Sequence, residues 1–252
     1  VIVSAHIYNQ CINEAFRLFH EMHRCGIKPN RATFICILEA CTYVNGALIH
    51  TYLVENSYDS DQIVATALIS FYSKCNNVRD AREVCVKMPK KDVIAWNAMI
   101  SGYAQQGRCH EALSCFRQMQ SEGFSPNAVT FICILRACGS TGAIDKGKQI
   151  HEKIMSTNLL EKDIVLGTAL VDMYAKCGLL TKAQEVLTEL PFRDVIPWNA
   201  LITGYAQQGQ LRQALKCFQS MQDEDLSPNV VTFICILKAC GNTGAIEDGE
   251  LI

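Results

Sequence analysis

No run of apolar residues approaches the about 18 needed to cross a bilayer as a helix, so no membrane span is expected in this chain of 252 residues. The first residues, Val1-Ile2-Val3-Ser4, carry no basic region followed by a cleavage site, which excludes a secretory signal peptide at this position. Charge is scarce: 19% of residues are Asp, Glu, Lys or Arg, and the formal net charge is −2. That balance argues against a binder that works mainly by neutralising phosphates. Metal-ligand spacing is lacking as well. Fourteen cysteines include no Cys-x-x-Cys pair, so the usual zinc arrangement is missing. His20 and His23 lie three apart with no third ligand in view and read as a surface pair. Gly142 to Lys148 comes close to a phosphate loop, but Gln149 stands where Ser or Thr is needed, and Glu250 replaces the lysine in the second copy. No catalytic group, metal or cofactor is therefore expected.

What the chain does have is apolar material, 49% of residues, enough for a core without disulfide staples. The cysteines recur in register: Cys36 and Cys41, Cys133 and Cys138, and Cys235 and Cys240 form the same Cys-x4-Cys pair. They read as small apolar fillers on helices, kept as free thiols in a reducing compartment.

Self-similarity is the strongest signal. "DVIAWNAMISGYAQQG" at 92–107 returns as "DVIPWNALITGYAQQG" at 194–209, and "TFICIL" opens at 33, 130 and 232. Trp96 and Trp198 are 102 residues apart, as are Pro126 and Pro228. Each long period divides into three, giving units 1–30 (partial), 31–61, 62–92, 93–127, 128–163, 164–194, 195–229 and 230–252 (partial). A period of 31 to 36 residues predicts an all-α fold, a right-handed α-solenoid superhelix of helix-turn-helix repeats.

Within 93–127, Trp96, Met99, Ile100 and Tyr103 make one helical stripe, and Ala112, Leu113, Phe116 and Met119 a second. Gly107, Gly178 and Gly209, with Asn76 at the same point of its unit, predict left-handed turns between the helices. Ala15, Ala81, Ala112, Ala183 and Ala214 recur early in each second helix, where a small side chain admits close packing. Unit 31–61 is five residues shorter than 128–163, and the shortage is read between Ala47 and His50. The partial end units lack a polar capping repeat, which predicts end-to-end association through exposed apolar ends.

These repeats resemble the pentatricopeptide repeat family in its plant-organelle form, with alternating P, L and S units. The resemblance covers the whole chain. It rests on "WNAMISGYAQQGRCHEALSCFRQMQSEGFSPN" (P, 96–127), "TFICILRACGSTGAIDKGKQIH" (L, 130–151) and "TALVDMYAKCGLLTKAQEVLTELPFRD" (S, 168–194). It implies single-stranded RNA binding at one nucleotide per repeat, with base choice set by the fifth and last residues of a unit. The implied pairs are Thr66 with Asp92 and Thr168 with Asp194 for guanine, and Asn97 with Asn127 and Asn199 with Asn229 for a pyrimidine, cytosine over uracil. Second residues Ile63, Ile94, Val129, Val165, Ile196 and Val231 are implied to sandwich the bases, and Lys74 and Lys176 to meet phosphate. Ile35, Ile132 and Ile234 fill the fifth position of the L units and cannot hydrogen-bond, so from unit 62–92 onward the expected target is G-Y-N-G-Y.

The resemblance further implies a mitochondrial or chloroplast address, with the targeting segment outside this chain. It implies a role in C-to-U RNA editing or processing alongside editing-complex proteins. Chemistry itself would lie elsewhere, since the deaminase His-x-Glu and Cys-x-x-Cys signature is missing.

The residues considered alone leave alternatives open. Guanine's N1–H and N2–H suit a carboxylate, and an Asn amide offers both a donor and an acceptor. Yet Thr66 and Thr168 also fit helix N-terminal positions, Asp92 and Asp194 fit caps, and Lys74 and Lys176 fit helix C-termini. Charge is also uneven: unit 62–92 nets +3 and unit 31–61 nets −3. A protein-binding helical scaffold is the alternative function.

Overall fold

A helix leaves its first N–H groups unpaired, and short acceptors at the N-cap satisfy them. The sequence supplies such an acceptor at the end of each repeat unit. The computed structural model describes residues 12–40, 43–58, 60–88 and 90–243. Among them are fourteen helices. They are α1 (Ile12–Arg24), α2 (Arg31–Ala40), α3 (Tyr43–Glu55), α4 (Gln62–Lys74), α5 (Val78–Lys87), α6 (Val93–Gln105) and α7 (Cys109–Ser121). Then follow α8 (Ala128–Thr141), α9 (Ile144–Met155), α10 (Ile164–Lys176), α11 (Leu180–Glu189), α12 (Val195–Gln207), α13 (Leu211–Asp223) and α14 (Val230–Thr243). The chain divides into two bodies, the first of residues 1–106 and 110–125, the second of 107–109 and 126–252.

In the first body α2, α4 and α6 stack side by side, with α3 and α5 packed behind them. The second body repeats the plan: α8, α10, α12 and α14 form one layer, and α9, α11 and α13 the other. Each body is thus a stack of helical hairpins in two layers. The predicted stripes are the core. Trp96, Met99, Ile100 and Tyr103 are buried, as are Ala112, Phe116 and Met119, while Leu113 is half-buried. All five recurrent alanines have no exposed surface, and any larger side chain there would push neighbouring helices apart.

The hairpin turns are left-handed where expected. Gly107, Gly178 and Gly209 have φ of 66°, 80° and 69°, and Asn76 has 57°. The turns after four second helices use the same conformation, with Gly26 and Gly123 there but also Ser57 and Asp225, both at φ 59°, whereas α5 and α11 end on extended residues, Met88 and Leu190. Ser57 and Asp225 carry no glycine signal, so the sequence hid these two turns.

One sequence expectation is corrected. Gly46 packs against Phe71, where an added Cβ would lie 1.9 Å from the ring. Gly147 packs in the same way against Met173. His50 meets the Tyr72 hydroxyl at 2.7 Å, and His151 meets Tyr174 at 2.9 Å. These two contacts fix Gly46 to Gly147 and His50 to His151, each 101 positions apart, whereas Cys36 and Cys133 are 97 apart. The shortening therefore falls mainly ahead of Gly46, not between Ala47 and His50. The packing glycine is kept.

All twelve described cysteines are free thiols. Burial pushes Cys115 up to about 11 and Cys217 to about 12, so both are protonated at neutral pH. The Gly142–Lys148 stretch runs into helix α9 after helix α8, with Gly147 facing Met173; a phosphate loop needs a strand before it. The second helix of unit 230–252 and the first helix of unit 1–30, on which end-to-end association was read, fall largely outside the described residues.

Close packing between first helices can be tested at Gly102, where an added Cβ would sit 2.4 Å from Ser73 Oγ and 2.7 Å from Ser73 Cβ. Gly102→Ala is expected to destabilise the chain by about 1–3 kcal/mol, the usual cost of overpacking, measured by urea unfolding. An unchanged midpoint would show that α4 and α6 are free to separate.

Candidate nucleic-acid interface

Seven first helices begin at an Asp or Asn that ends the preceding repeat unit. Asn30, Asp61, Asp92, Asn127, Asp163, Asp194 and Asn229 accept from backbone N–H groups two or three residues ahead at 2.8–3.2 Å. The alternative reading of Asp92 and Asp194 as caps is thus correct. Thr66 and Thr168 are not caps. They lie inside α4 and α10, where their hydroxyls donate to the carbonyls of Gln62 at 2.8 Å and Ile164 at 3.0 Å. Their oxygen lone pairs remain available as acceptors.

Capping decides what these side chains present. Only the oxygen of an Asn can accept a cap hydrogen bond, so the cap itself uses the oxygen and not the NH2. In Asn30 and Asn127 that oxygen also accepts from a threonine hydroxyl three residues on, Thr33 at 3.0 Å and Thr130 at 3.0 Å; at Asn229 the matching hydroxyl, Thr232, donates to Asn199 instead. An aspartate caps with one oxygen and keeps the other as an acceptor, which Arg31 meets at Asp61 and Gln62 meets at Asp92. The last residues of the units therefore fall into two kinds, donors at Asn and acceptors at Asp. The free amide's ability to match either kind of edge does not survive folding.

One local substitution adjusts this arrangement. Asp92 caps the N–H of Ala95. Proline replaces that residue at 197 and has no N–H, so Asp194 instead accepts from Ile196 at 2.9 Å.

Beside six of the seven caps stands an exposed branched aliphatic; after Asn30 the position is held by Ala32. Ile63, Ile94, Val129, Val165, Ile196 and Val231 each sit two residues after a cap, and all six are between 49% and 66% exposed. Such repetition of uncovered branched side chains has no packing role within either body. In the first body, a groove of about 330 Å³ is lined by Ile63, Thr66, Lys74, Asp92 and Ile94 together with Ile35, Glu39 and Ser70. Five sequence-predicted residues thus meet in one place. A second groove, about 250 Å³, gathers Lys176, Ile196, Asn199 and Val231 with Asp172, Thr203 and Gln207. Thr168 and Asp194 line neither groove. Asn97 is buried in α6 of the first body, and Asn127 caps α8 of the second.

Asn199 and Asn229 meet directly: Asn199 Nδ2 donates to Asn229 Oδ1 at 3.3 Å. Asn199 Oδ1 accepts from Thr232 Oγ1 at 2.7 Å. The two lysines differ. Both end their helices, but Lys176 is paired with Asp172 at 2.7 Å, whereas Lys74 stands in the first groove with Ser70 at the corresponding position. Thr232 and the Asp172 pairing were not picked out in the sequence; the Asn-x-x-Thr and Asp-x3-Lys spacings are the signals that carry them. Among the described residues no helix is long and apolar enough to cross a membrane, and no three His, Cys, Asp or Glu side chains are placed to hold a metal ion.

Stacked helical hairpins, capped in register along one layer, define an all-α repeat array of the solenoid class. Comparison with known proteins makes the class specific: the PPR repeat family matches residues 1–42, 91–140 and 193–242, and the PPR repeat matches 63–93 and 168–195. The chain belongs to the pentatricopeptide repeat family. A pentatricopeptide repeat-containing protein of Arabidopsis thaliana is 38% identical over 240 residues, 93% of this chain and 30% of that protein. A mitochondrial one from the same plant is 36% identical over 255 residues, 99% of this chain and 37% of that protein. Among solved structures, the pentatricopeptide repeat protein PPR10 in complex with an 18-nt psaJ RNA element is 19% identical. It superposes with a TM-score of 0.76 over 94% of this chain and 36% of its own. That likeness shows the fold. The chain spans about a third of the length of the curated relatives it matches.

The capping role gives a measurable consequence. Asp194→Ala is expected to cost about 1 kcal/mol and Asp194→Asn only a few tenths, because Asn caps as well as Asp. Chemical unfolding of both variants checks this. Equal loss in the two would mean that the side chain does not hold the start of α12.

Proposed function

We propose that this chain is a sequence-specific single-stranded-RNA-binding tract that takes one nucleotide per repeat unit. The observation that carries the reading is the row of six exposed aliphatics, each two residues from a cap. An unstacked base has two apolar faces and a polar edge. Aliphatics on either side cover the faces, and the outward group of the cap meets the edge. Asp92 and Asp194 offer acceptors to the N1–H and N2–H of guanine, with Thr66 lining the same groove as Asp92 and Thr168 at the matching place in its unit. Asn127 and Asn229 offer donors, which suit the N3 and O2 acceptors of cytosine better than the N3–H of uracil. The units that carry Ile35, Ile132 and Ile234 accept any base. Membership of the family and the RNA-bound state of PPR10 support this reading.

The mitochondrial names of several relatives support an organelle setting. We place the tract in an RNA-editing or processing factor, with catalysis supplied by other segments or by editing-complex partners. Selection from a randomised RNA pool tests the function: enrichment of G-Y-N-G-Y is expected. Failure to enrich any RNA, with a peptide ligand retained instead, would replace this reading with that of a protein scaffold.

Base choice is expected to follow the caps. Thr168→Asn with Asp194→Asn turns an acceptor into an outward amide, and should move unit 164–194 from guanine toward a pyrimidine. A matched edge contact is worth about 1–3 kcal/mol by analogy with groove readout, or roughly 5- to 150-fold in affinity. Binding of both proteins to two RNAs differing at that base decides it. If both rank the RNAs alike at equal melting temperature, these residues do not read the base.

A further inference from the structure

Two units carry the same Thr and Asp pair, 62–92 and 164–194, and the pair alone assigns them equal taste for guanine. Their carboxylates differ. Asp92 Oδ1 caps α6, and Asp92 Oδ2 accepts from the side-chain amide of Gln62 at 2.7 Å. Asp194 Oδ1 caps α12, and residue 164, at the position of Gln62, is isoleucine and has nothing to donate. A third case stands in unit 31–61. Arg31 occupies that position and directs both Nε, at 2.9 Å, and Nη2, at 2.6 Å, to Asp61 Oδ2. So the first residue of a unit lies against the carboxylate that ends the same unit, across two neighbouring first helices.

We propose that this first residue sets how strongly the unit's last residue engages a base: Arg31 seals Asp61, Gln62 draws off part of Asp92, and Ile164 leaves Asp194 open. The inference rests on the base-reading function proposed above. A carboxylate oxygen has two lone pairs. Arg31 takes both on Asp61 Oδ2, and charge-assisted bonds are the harder ones to displace. Gln62 takes one on Asp92 Oδ2 and lowers its acceptor strength toward guanine. It adds little orientation, because the bond from Ala95 already fixes the Asp92 side chain. The sealed Asp61 belongs to a unit whose fifth residue, Ile35, cannot hydrogen-bond. Both contacts of that unit are thereby silent, not just the fifth residue.

The experiment measures binding of the full chain to an RNA carrying G-Y-N-G-Y and to two RNAs in which the first or the second G is replaced by A. Wild type is expected to discriminate more strongly at the second G than at the first. Gln62→Ile, which copies the residue found at 164, should raise discrimination at the first G by about fivefold, the worth of one competing hydrogen bond. Ile164→Gln should lower it at the second G by a similar factor, and Ile164→Arg should lower it further. Far-ultraviolet circular dichroism and melting temperature confirm that the variants fold. Equal discrimination at both positions, unmoved by any variant, overturns the inference and leaves base reading intact. Weaker discrimination in Gln62→Ile also overturns it, since Gln62 would then be orienting Asp92. If wild type discriminates at neither position, the base-reading function fails and this inference with it.

Discussion

Everything at the interface depends on one demand of helix chemistry: the first N–H groups of each first helix need an acceptor from outside the helix. In this chain the acceptor is the last residue of the preceding repeat unit, and the capping bond fixes that side chain where the unit junction is exposed. One covalent position therefore serves folding and presentation together. Because an amide can cap only through its oxygen, asparagine at this point shows a donor and aspartate an acceptor. On the proposed function, the chemistry shown to a base follows from a constraint that would hold if no ligand existed. Asparagine stands at Asn30, Asn127 and Asn229 and aspartate at the other junctions, a choice that capping alone does not dictate, since the two cap about equally well.

The spacing of those junctions is set by packing behind them. Alanine with no exposed surface in five of the second helices, glycine in α3 and α9, and glycine in several first helices bring neighbouring helices together so closely that a larger side chain has no room. Gly102 lies against Ser73, Gly204 against Leu180, and Gly167 against Leu190. A close-packed interior transmits a shift of one helix to the next. An array that offers one group per unit needs such regularity, because an error in spacing accumulates along the strand it faces.

Most of this was legible in the sequence wherever the signal was periodic. The buried stripe around Trp96, the turns at Gly107 and Gly178, and the six exposed aliphatics all recur at fixed offsets, so repetition itself separated them from chance. Features that depend on a partner about 30 residues away were not legible. Gln62 and Arg31 show their role only through Asp92 and Asp61, in the next helix of the layer. Thr66 and Thr168 looked like helix N-terminal residues because the aspartates five positions earlier, Asp61 and Asp163, already filled that role. The short unit misled for a different reason: alignment by letters placed the gap after Ala47, while contact of Gly46 with Phe71 places most of it earlier. Lys176 looked equivalent to Lys74 until Asp172, four residues before it, was found holding its ammonium.

Charge follows the same logic of local commitment. A net charge of −2 suits a polyanion poorly, and several cations are spent inside the fold. Lys91 reaches Glu122 at 3.4 Å and sits 5.2 Å over the ring of Trp96. Arg193, at the matching place in the second long period, pairs with Glu224 at 3.0 Å. Each joins a unit's end to the end of the next unit's second helix, so these are ties between hairpins and not phosphate contacts. Arg31 is used up on Asp61 and Lys176 on Asp172. Of the cations that the sequence marked for phosphate, Lys74 is the one that lines a groove beside a capping carboxylate and two exposed aliphatics. On the proposed function, binding to a single strand comes chiefly from covered base faces and matched edges, terms that salt screens far less than phosphate neutralisation. An array that recognises edges gains from this economy, since sequence-independent attraction strengthens every wrong strand as much as the right one.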